Sequence, residues 1–474
     1  MRWVLAALAI AASAIAAAAF GFFLRSVGTE PVALPEDSMP GRLLVGFQDD
    51  ASFRWAPERA ELLDRARTVG TSVVRSIVSW HVVAPSRPAD PSDPFDPAYR
   101  LSDLDDLARS AQQRGIELLI TIWGTPPWAN AGGPPNSPPS DADDLAAFAQ
   151  ALADRYSGGH PGYPAVRLFS VWNEPNLEQF LTPQFDEAGR SVSPALYAEL
   201  ARAAYAGIKR GNPDALVAIG ETSPRGQDRP SRGPVQSSHS PVRFARLLSE
   251  IHPRVPFDAW AQHPYPARHT TAPASPVRWP RIGLGNLERF GEALEDWFDR
   301  DGVPLWVTEY GHETKPFDPT GVEPETQARF VTEALALAAG NPRVRLFVWF
   351  ILLDRSDEPW QSGLIEPDGL PKPGLARFRE AATALDPRNP VVPADAEVAR
   401  IPTLELAYHA PAGAPVEVSI DGTAPFTVPL GEDGWVEVPL PETAESALTL
   451  DVTTESGNSV RRRVELSPAS LEFD

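Results

Sequence analysis

From residue 41 onward the chain alternates between two textures. Short, continuously apolar runs are followed by longer stretches whose apolar positions recur every three or four residues. The first kind suits strands buried on both faces; the second suits amphipathic helices packed against them. The strands read as 43–47, 72–78, 116–122, 166–172, 215–220, 258–263, 305–308 and 344–350. The helices that follow them read as 57–69, 101–114, 141–156, 194–210, 241–250, 287–298, 324–339 and 374–382. Pro57 suits a first helical turn, and Gly115 suits a C-terminal cap. Eight strand–helix units across 41–386 predict an α/β fold, a closed (β/α)8 TIM barrel of parallel strands, with a doubly wound open sheet as the alternative.

Both flanks break this rhythm. From Pro387 the apolar residues alternate instead, as in Leu404–Tyr408, Val416–Ile420, Trp435–Val438, Leu448–Val452 and Val460–Leu466, with turn signals at Asp421-Gly422 and Gly431–Gly434. Residues 387–474 therefore read as a small antiparallel β-sandwich, an accessory domain. At the other end Arg2 precedes an uncharged run, Trp3–Leu24, closed by Arg25. As a helix that run spans about 33 Å, enough to cross a bilayer core, so 1–25 is expected to be a signal peptide or a membrane anchor. Ala12-Ser13-Ala14 and Ala17-Ala18-Ala19 offer cleavage sites, but cutting there leaves Phe20–Leu24 as an apolar start, which favours an uncleaved anchor. A helix buried in the soluble body is the remaining alternative. Residues 26–40, with three prolines, read as a tether. The expected location is extracytoplasmic, secreted or anchored at the cell surface, with membrane contact only through the N-terminal helix.

Charge and composition narrow the partners. A formal net charge of −21 repels phosphate backbones and argues against nucleic acid, whereas a neutral carbohydrate is not disfavoured. The chain has no cysteine, which removes disulfides and thiolate metal sites. Its eight histidines form no His-Glu-x-x-His pattern, so neither a metal nor another cofactor is called for.

The chemistry gathers at the C-terminal ends of the expected strands, where barrels of this kind hold their active sites. Strand four runs into Trp172-Asn173-Glu174-Pro175-Asn176 and strand seven into Thr308-Glu309-Tyr310-Gly311. Arg75, Trp123, His263, Tyr265 and Trp349 end strands two, three, six and eight. Cleavage of a glycosidic bond needs one carboxyl to give a proton and another to attack or to activate water. Aromatic faces and polar side chains are what a sugar pocket adds.

Asn173-Glu174-Pro175 on strand four together with Glu309 on strand seven resembles the clan A, or "4/7", glycoside hydrolases. The resemblance implies Glu174 as acid/base and Glu309 as nucleophile, with retention of configuration if the carboxyls stand about 5–5.5 Å apart. It implies Asn173 on the sugar 2-hydroxyl, Arg75 pairing with the nucleophile, Tyr265 of His263-Pro264-Tyr265 bonding it, and Trp349 as a platform under the ring. Thr125-Pro126-Pro127-Trp128-Ala129 is similar to family 39, and the appended sandwich agrees. Family 5 usually carries a histidine near the end of strand three, where Trp123 and Gly124 stand here, which speaks against family 5. Trp80, Trp123 and Trp128 line subsites or pack loops; His312, Glu313 and Asp354 are either structural polar residues, the favoured reading, or rim contacts. The function expected is a retaining glycosidase acting on the O-glycosidic bonds of a polysaccharide or oligosaccharide. The alternatives are a non-catalytic carbohydrate-binding or scaffold barrel, and a transglycosylase using the same residues.

Overall fold

Eight parallel strands pair in sequence order and close on themselves, β1 bonding to both β2 and β8. The computed structural model describes residues 43–385, apart from 232–235, 317 and 359, and the backbone of six strands between 403 and 465. The barrel strands are β1 (Leu44–Gln48), β2 (Val73–Ser79), β3 (Glu117–Trp123), β4 (Leu168–Val171), β5 (Leu216–Thr222), β6 (Ala259–Gln262), β7 (Leu305–Tyr310) and β8 (Val344–Phe350). The main helices after them are α1 (Arg59–Thr68), α2 (Ser102–Gln113), α3 (Ala142–Arg155), α4 (Ser193–Gly211), α5 (Pro241–Ser249), α6 (Leu287–Phe298), α7 (Pro324–Gly340) and α8 (Pro373–Leu385). The closed barrel excludes the open sheet. Pro57 lies in the turn before α1 rather than in its first turn.

Side chains of a strand alternate between the barrel interior and the helix layer. Val73, Leu119, Leu168, Ala218, Ala259, Ala261, Trp306, Leu346 and Val348 fill the interior as an apolar plug. One step further along the same parity come Gln48, Arg75, Thr121, Ser170 and Thr308, all buried. The interior thus changes from apolar to polar in a single layer, directly beneath the rim that holds the site. The opposite parity, including Phe47, Phe169, Phe347 and Trp349, packs outward in the larger core shared with the helices.

Two strands break parity where chemistry needs it. In β5 the residue after Gly220 is extra relative to β6: Gly220 faces Ala261 and Thr222 faces Gln262, which leaves Glu221 as the bulge. In β7 the step from Val307 to Tyr310 is matched by only Phe347 to Trp349 in β8, so one residue of Thr308-Glu309 is extra. A bulge re-aims a side chain that simple alternation would send to the other face. Gly220 makes the first bulge possible: its φ is +100°, and a Cβ there would lie 2.6 Å from the Trp260 ring. β4 ends at Val171, short of the expected Trp172, because Trp172 takes φ +71° and leaves the ladder.

Beyond the barrel the strands are β9 (Thr403–Ala407), β10 (Pro415–Ile420), β11 (Phe426–Pro429), β12 (Trp435–Pro439), β13 (Ala447–Thr454) and β14 (Ser459–Glu465). They pair antiparallel in one four-stranded sheet, β11-β10-β13-β14, and one two-stranded sheet, β12-β9. The expected N-terminal helix and tether, 1–40, lie outside the described residues. Among the described residues no helix is long and apolar enough to cross a membrane.

Candidate active site

Arg75 stands at the centre of the polar layer, with no exposed side-chain surface. Its Nε donates to Thr121 Oγ1 at 2.8 Å, and its Nη1 donates to Glu309 Oε1 at 2.6 Å and to Gln48 Oε1. Its Nη2 donates to Asn173 Oδ1 at 3.0 Å and to Glu221 Oε2 at 3.2 Å. A guanidinium only donates, so this contact fixes the Asn173 amide with its oxygen inward and leaves the NH2 group as the donor not spent on Arg75.

The two glutamates meet through one imidazole. His263 Nδ1 lies 3.1 Å from Glu174 Oε1 and 3.6 Å from Glu309 Oε2. Two oxygens reached from one nitrogen cannot be farther apart than those two lengths laid end to end. That ceiling sits at the lower edge of the roughly 6.5–9.5 Å typical of inverting pairs, and it includes the ~5–5.5 Å of retaining ones. Glu309 Oε2 also accepts from the Tyr265 hydroxyl at 3.0 Å. Enclosure, together with the charges of Glu309 and Glu174, pushes the Tyr265 phenol well up, so it remains a donor.

Exposure sorts the charged members of the network. Glu174 and Glu309 keep 15% and 11% of their side-chain surface, while Arg75, Glu221 and His263 keep none. Only the first pair can touch a ligand; the other three act through it. Burial would push the Glu221 carboxyl up, but the Arg75 charge and the His263 hydrogen bond outweigh it and hold it down at about 2. Burial would likewise lower His263, yet Glu309, Glu174 and Glu221 around it raise it to about 10. Backbone strain collects at the same place: Trp172, Glu174 and Glu221 all have φ between +38° and +71°. Asn176 ties the loops after β4 and β5 together, accepting from Ser223 N at 2.8 Å and donating to His239 O at 2.9 Å.

Arg75, Asn173, Glu174, His263, Tyr265 and Glu309 are therefore brought together, and the aromatic expectations fare differently. Trp349 is fully buried, stacked on His312 and edge-on to Tyr310, with its indole N–H donating to Ser362 O at 2.8 Å. It cannot lie under a sugar. Its parity points it at the helices. The ring packed against Tyr265 is that of Trp360, half-buried in the loop after β8, with its ring centre 5.5 Å from that of Tyr265. Trp128 braces loops: it meets Trp80 edge-on at 5.5 Å, lies under the Arg87 guanidinium and donates to Ala84 O at 2.8 Å. Trp123 stays half-buried at the end of β3, its N–H donating to Phe180 O at 3.4 Å. His312 and Asp354 are buried and not rim contacts; Asp354 pairs with Lys372, and burial lowers His312 to about 4.

Glu221, Gln48 and Trp360 escape the sequence reading. Glu221 carried a usable signal, since Ala218-Ile219-Gly220-Glu221 is another apolar strand running into a carboxyl. A metal-like cluster, His269, Glu313 and Asp318, also forms beyond β7, with its ligand atoms within 4.8 Å of one another. His269 Nδ1 accepts from the Glu313 N–H at 3.2 Å, which puts the ring proton on Nε2, facing Glu313 Oε1 at 3.2 Å. That tautomer leaves Nε2 no lone pair for a cation. The cluster is a hydrogen-bonded latch between loops, and Glu313 Oε2 continues it to Gln361 N at 3.1 Å.

A closed (β/α)8 barrel bearing glutamates at the ends of strands four and seven defines the clan A glycoside hydrolase class. Residues 44–334 match the family model "Cellulase (glycosyl hydrolase family 5)", and the chain belongs to that family of glycoside hydrolases. The histidine missing from the end of strand three does not count against this. An imidazole does stand there, contributed by His81 after β2, with its ring centre 5.5 Å from that of Trp123. No curated protein sequence matches the chain. Among solved structures, a family 39 glycoside hydrolase from Bacteroides cellulosilyticus WH2 is similar at 16% identity and a TM-score of 0.53, covering 84% of this chain and 79% of that one. A glucosidase from Croceicoccus marinus is similar at 14% identity and a TM-score of 0.53, covering 93% and 82%. A family 5, subfamily 18 enzyme from Streptomyces cattleya, solved in complex with GlcNAc, is similar at 17% identity and a TM-score of 0.52, covering 73% and 80%. These likenesses concern the fold alone.

Proposed function

We propose that the protein is a retaining glycosidase that hydrolyses O-glycosidic bonds of an oligosaccharide or polysaccharide. The observation that carries this is the single His263 nitrogen within reach of both Glu174 and Glu309, which keeps the two partly exposed carboxyls close enough for double displacement. Glu309, held by Arg75 and Tyr265, attacks the anomeric carbon while the protonated Glu174 gives its proton to the departing oxygen. The C–O bond to the leaving group breaks as the bond to Glu309 forms. Glu174 then takes a proton from water, which displaces Glu309 and releases the sugar. Asn173 offers its amide NH2 to the 2-hydroxyl, and Trp360 stands as the aromatic wall.

A 2-fluoro glycoside that labels Glu309, located by mass spectrometry, tests the covalent step and separates an enzyme from a scaffold barrel. Glu309→Ala is expected to abolish turnover. Glu174→Ala is expected to slow poor leaving groups by about a hundredfold or more while sparing activated aryl glycosides far better. Wild-type rates in either variant would overturn the assignment. The uncharged run Trp3–Leu24 supports export with an anchored N-terminus, and the six strands after the barrel support an accessory sandwich. Fractionation of the full chain between membrane and soluble pools tests the anchor.

A further inference from the structure

We propose that Glu221 is a positioning residue of the catalytic centre: a buried counter-ion that keeps His263 an imidazolium, so that its Nδ1–H can follow the negative charge as it passes from Glu309 to Glu174. The inference rests on the two-glutamate reading above and adds a third carboxylate to it.

Three donors converge on one oxygen of Glu221. Arg75 Nη2 lies at 3.2 Å from Oε2, His263 Nε2 at 2.8 Å and Thr308 Oγ1 at 2.7 Å. The Glu221 side chain has no exposed surface, and such convergence is what an anionic oxygen supports. The main chain of Glu221 is equally engaged, its carbonyl accepting from the Glu174 N–H at 2.9 Å. One residue therefore holds the strained backbone of the acid/base and the imidazole beside it. The structure places Glu221 there by a β-bulge and a left-handed φ of +46°, local costs that a mere space-filling carboxyl would not explain.

The reaction moves one unit of negative charge. Before attack it sits on Glu309; once the glycosyl ester has formed and the proton has gone to the leaving oxygen, it sits on Glu174. His263 Nδ1 faces both carboxylates, at 3.6 Å and 3.1 Å, and transfers no proton itself. A neutral imidazole bonded to Glu221 through Nε2–H would turn a lone pair toward those carboxylates and repel the charge at either end. An imidazolium donates to whichever carries it. The charged and titratable groups facing His263 are Glu174 at the end of β4, Glu221 of β5, Tyr265 beyond β6 and Glu309 of β7, with Arg75 of β2 behind them. Their charges, opposing burial, hold its proton to about 10.

Because the three donors share a single oxygen, Glu221→Gln can keep an oxygen in their midst and remove only the charge. Histidine NMR titration of the full chain, with His263 assigned by the signal missing from His263→Gln, reads the effect directly. In the wild type His263 is expected to stay protonated to about pH 10; in Glu221→Gln, with Glu309 and Glu174 still facing the ring, it is expected to titrate clearly lower. The basic limb of the kcat/KM profile should then move to lower pH together with the His263 titration, while activity at pH 5 is reduced far less. Glu221→Asp, which restores the charge, should return His263 toward the wild-type titration. A wild-type His263 that titrates near 6.5, or a Glu221→Gln titration unchanged from wild type, overturns the proposal. The titration needs no substrate, so a chain that cleaves no glycoside would sink the glycosidase reading and leave this result to be judged separately.

Discussion

At the scale of single residues the site separates groups that touch a ligand from groups that charge and orient them, and aromatic rings sort the same way. Trp349 and Trp360 stand eleven positions apart and have opposite fates. Trp349→Ala should cost about 3–5 kcal/mol of stability by opening a cavity in the helix-facing core, while the folded variant keeps its KM. Trp360→Ala should cost less stability than Trp349→Ala and raise KM roughly fivefold, about 1 kcal/mol of lost ring contact. Chemical denaturation and steady-state kinetics on both variants check the pair, and the reverse pattern would restore Trp349 to the site. The error in reading Trp349 has a definite cause. Phe347, Trp349 and Phe350 are all large and apolar, so nothing in the local pattern says which parity faces the barrel axis. The neighbouring register that decides it is a tertiary fact. Glu174 and Glu309 were singled out because each carboxyl follows an apolar run, on strands four and seven; Glu221 follows one too and was passed over.

At the scale of elements, the eight strands and their helices were readable from apolar runs alternating with helical spacing, and the ends of the bulged strands β5 and β7 were not. The strand ends are where bulges sit, and a bulge leaves no mark on hydrophobic spacing. Reading β5 as ending at Gly220 dropped Glu221, although Glu221 is the extra residue that the bulge exists to present. Trp360 was hidden for another reason: it lies in the loop after β8, and loop reach does not follow from any period. The bulge also gives a test. Gly220→Ala puts a methyl group 2.6 Å from the Trp260 ring at a φ of +100° and should cost about 1–3 kcal/mol or more. Activity should fall further than this loss of folding predicts, because the relaxed strand re-aims Glu221. A variant with wild-type stability and rate would show that the bulge is incidental.

At the scale of the whole molecule, the buried titratable groups set a pH window for folding. His263 is raised from 6.5 to about 10, so its contribution is fully present below pH 6.5 and is lost as pH rises toward 10. His239 and His312 are lowered from 6.5 to about 4, so the unfolded chain takes up protons first, and stability is lost as pH falls from 6.5 toward 4. Glu221, lowered from 4.5 to about 2, adds a further loss as pH falls from 4.5 toward 2. The melting temperature should therefore peak near pH 6–7, and His263→Gln should flatten the alkaline limb most, with a smaller change on the acid side where Glu221 loses its imidazolium partner. Calorimetry across pH 4 to 10 checks both statements.

The arrangement of Arg75 has one more consequence. Both of its carboxylate partners, Glu221 and Glu309, belong to the second four strands, while Arg75 itself lies on β2. A chain divided between α4 and β5 would strand the guanidinium in one fragment and its two anions in the other. Two copies of the first fragment would enclose two guanidiniums without Glu221 or Glu309, a penalty that mixed halves escape. The ion pairs beneath the rim are thus also a mating code, one that would steer separately produced half-barrels toward each other and away from themselves.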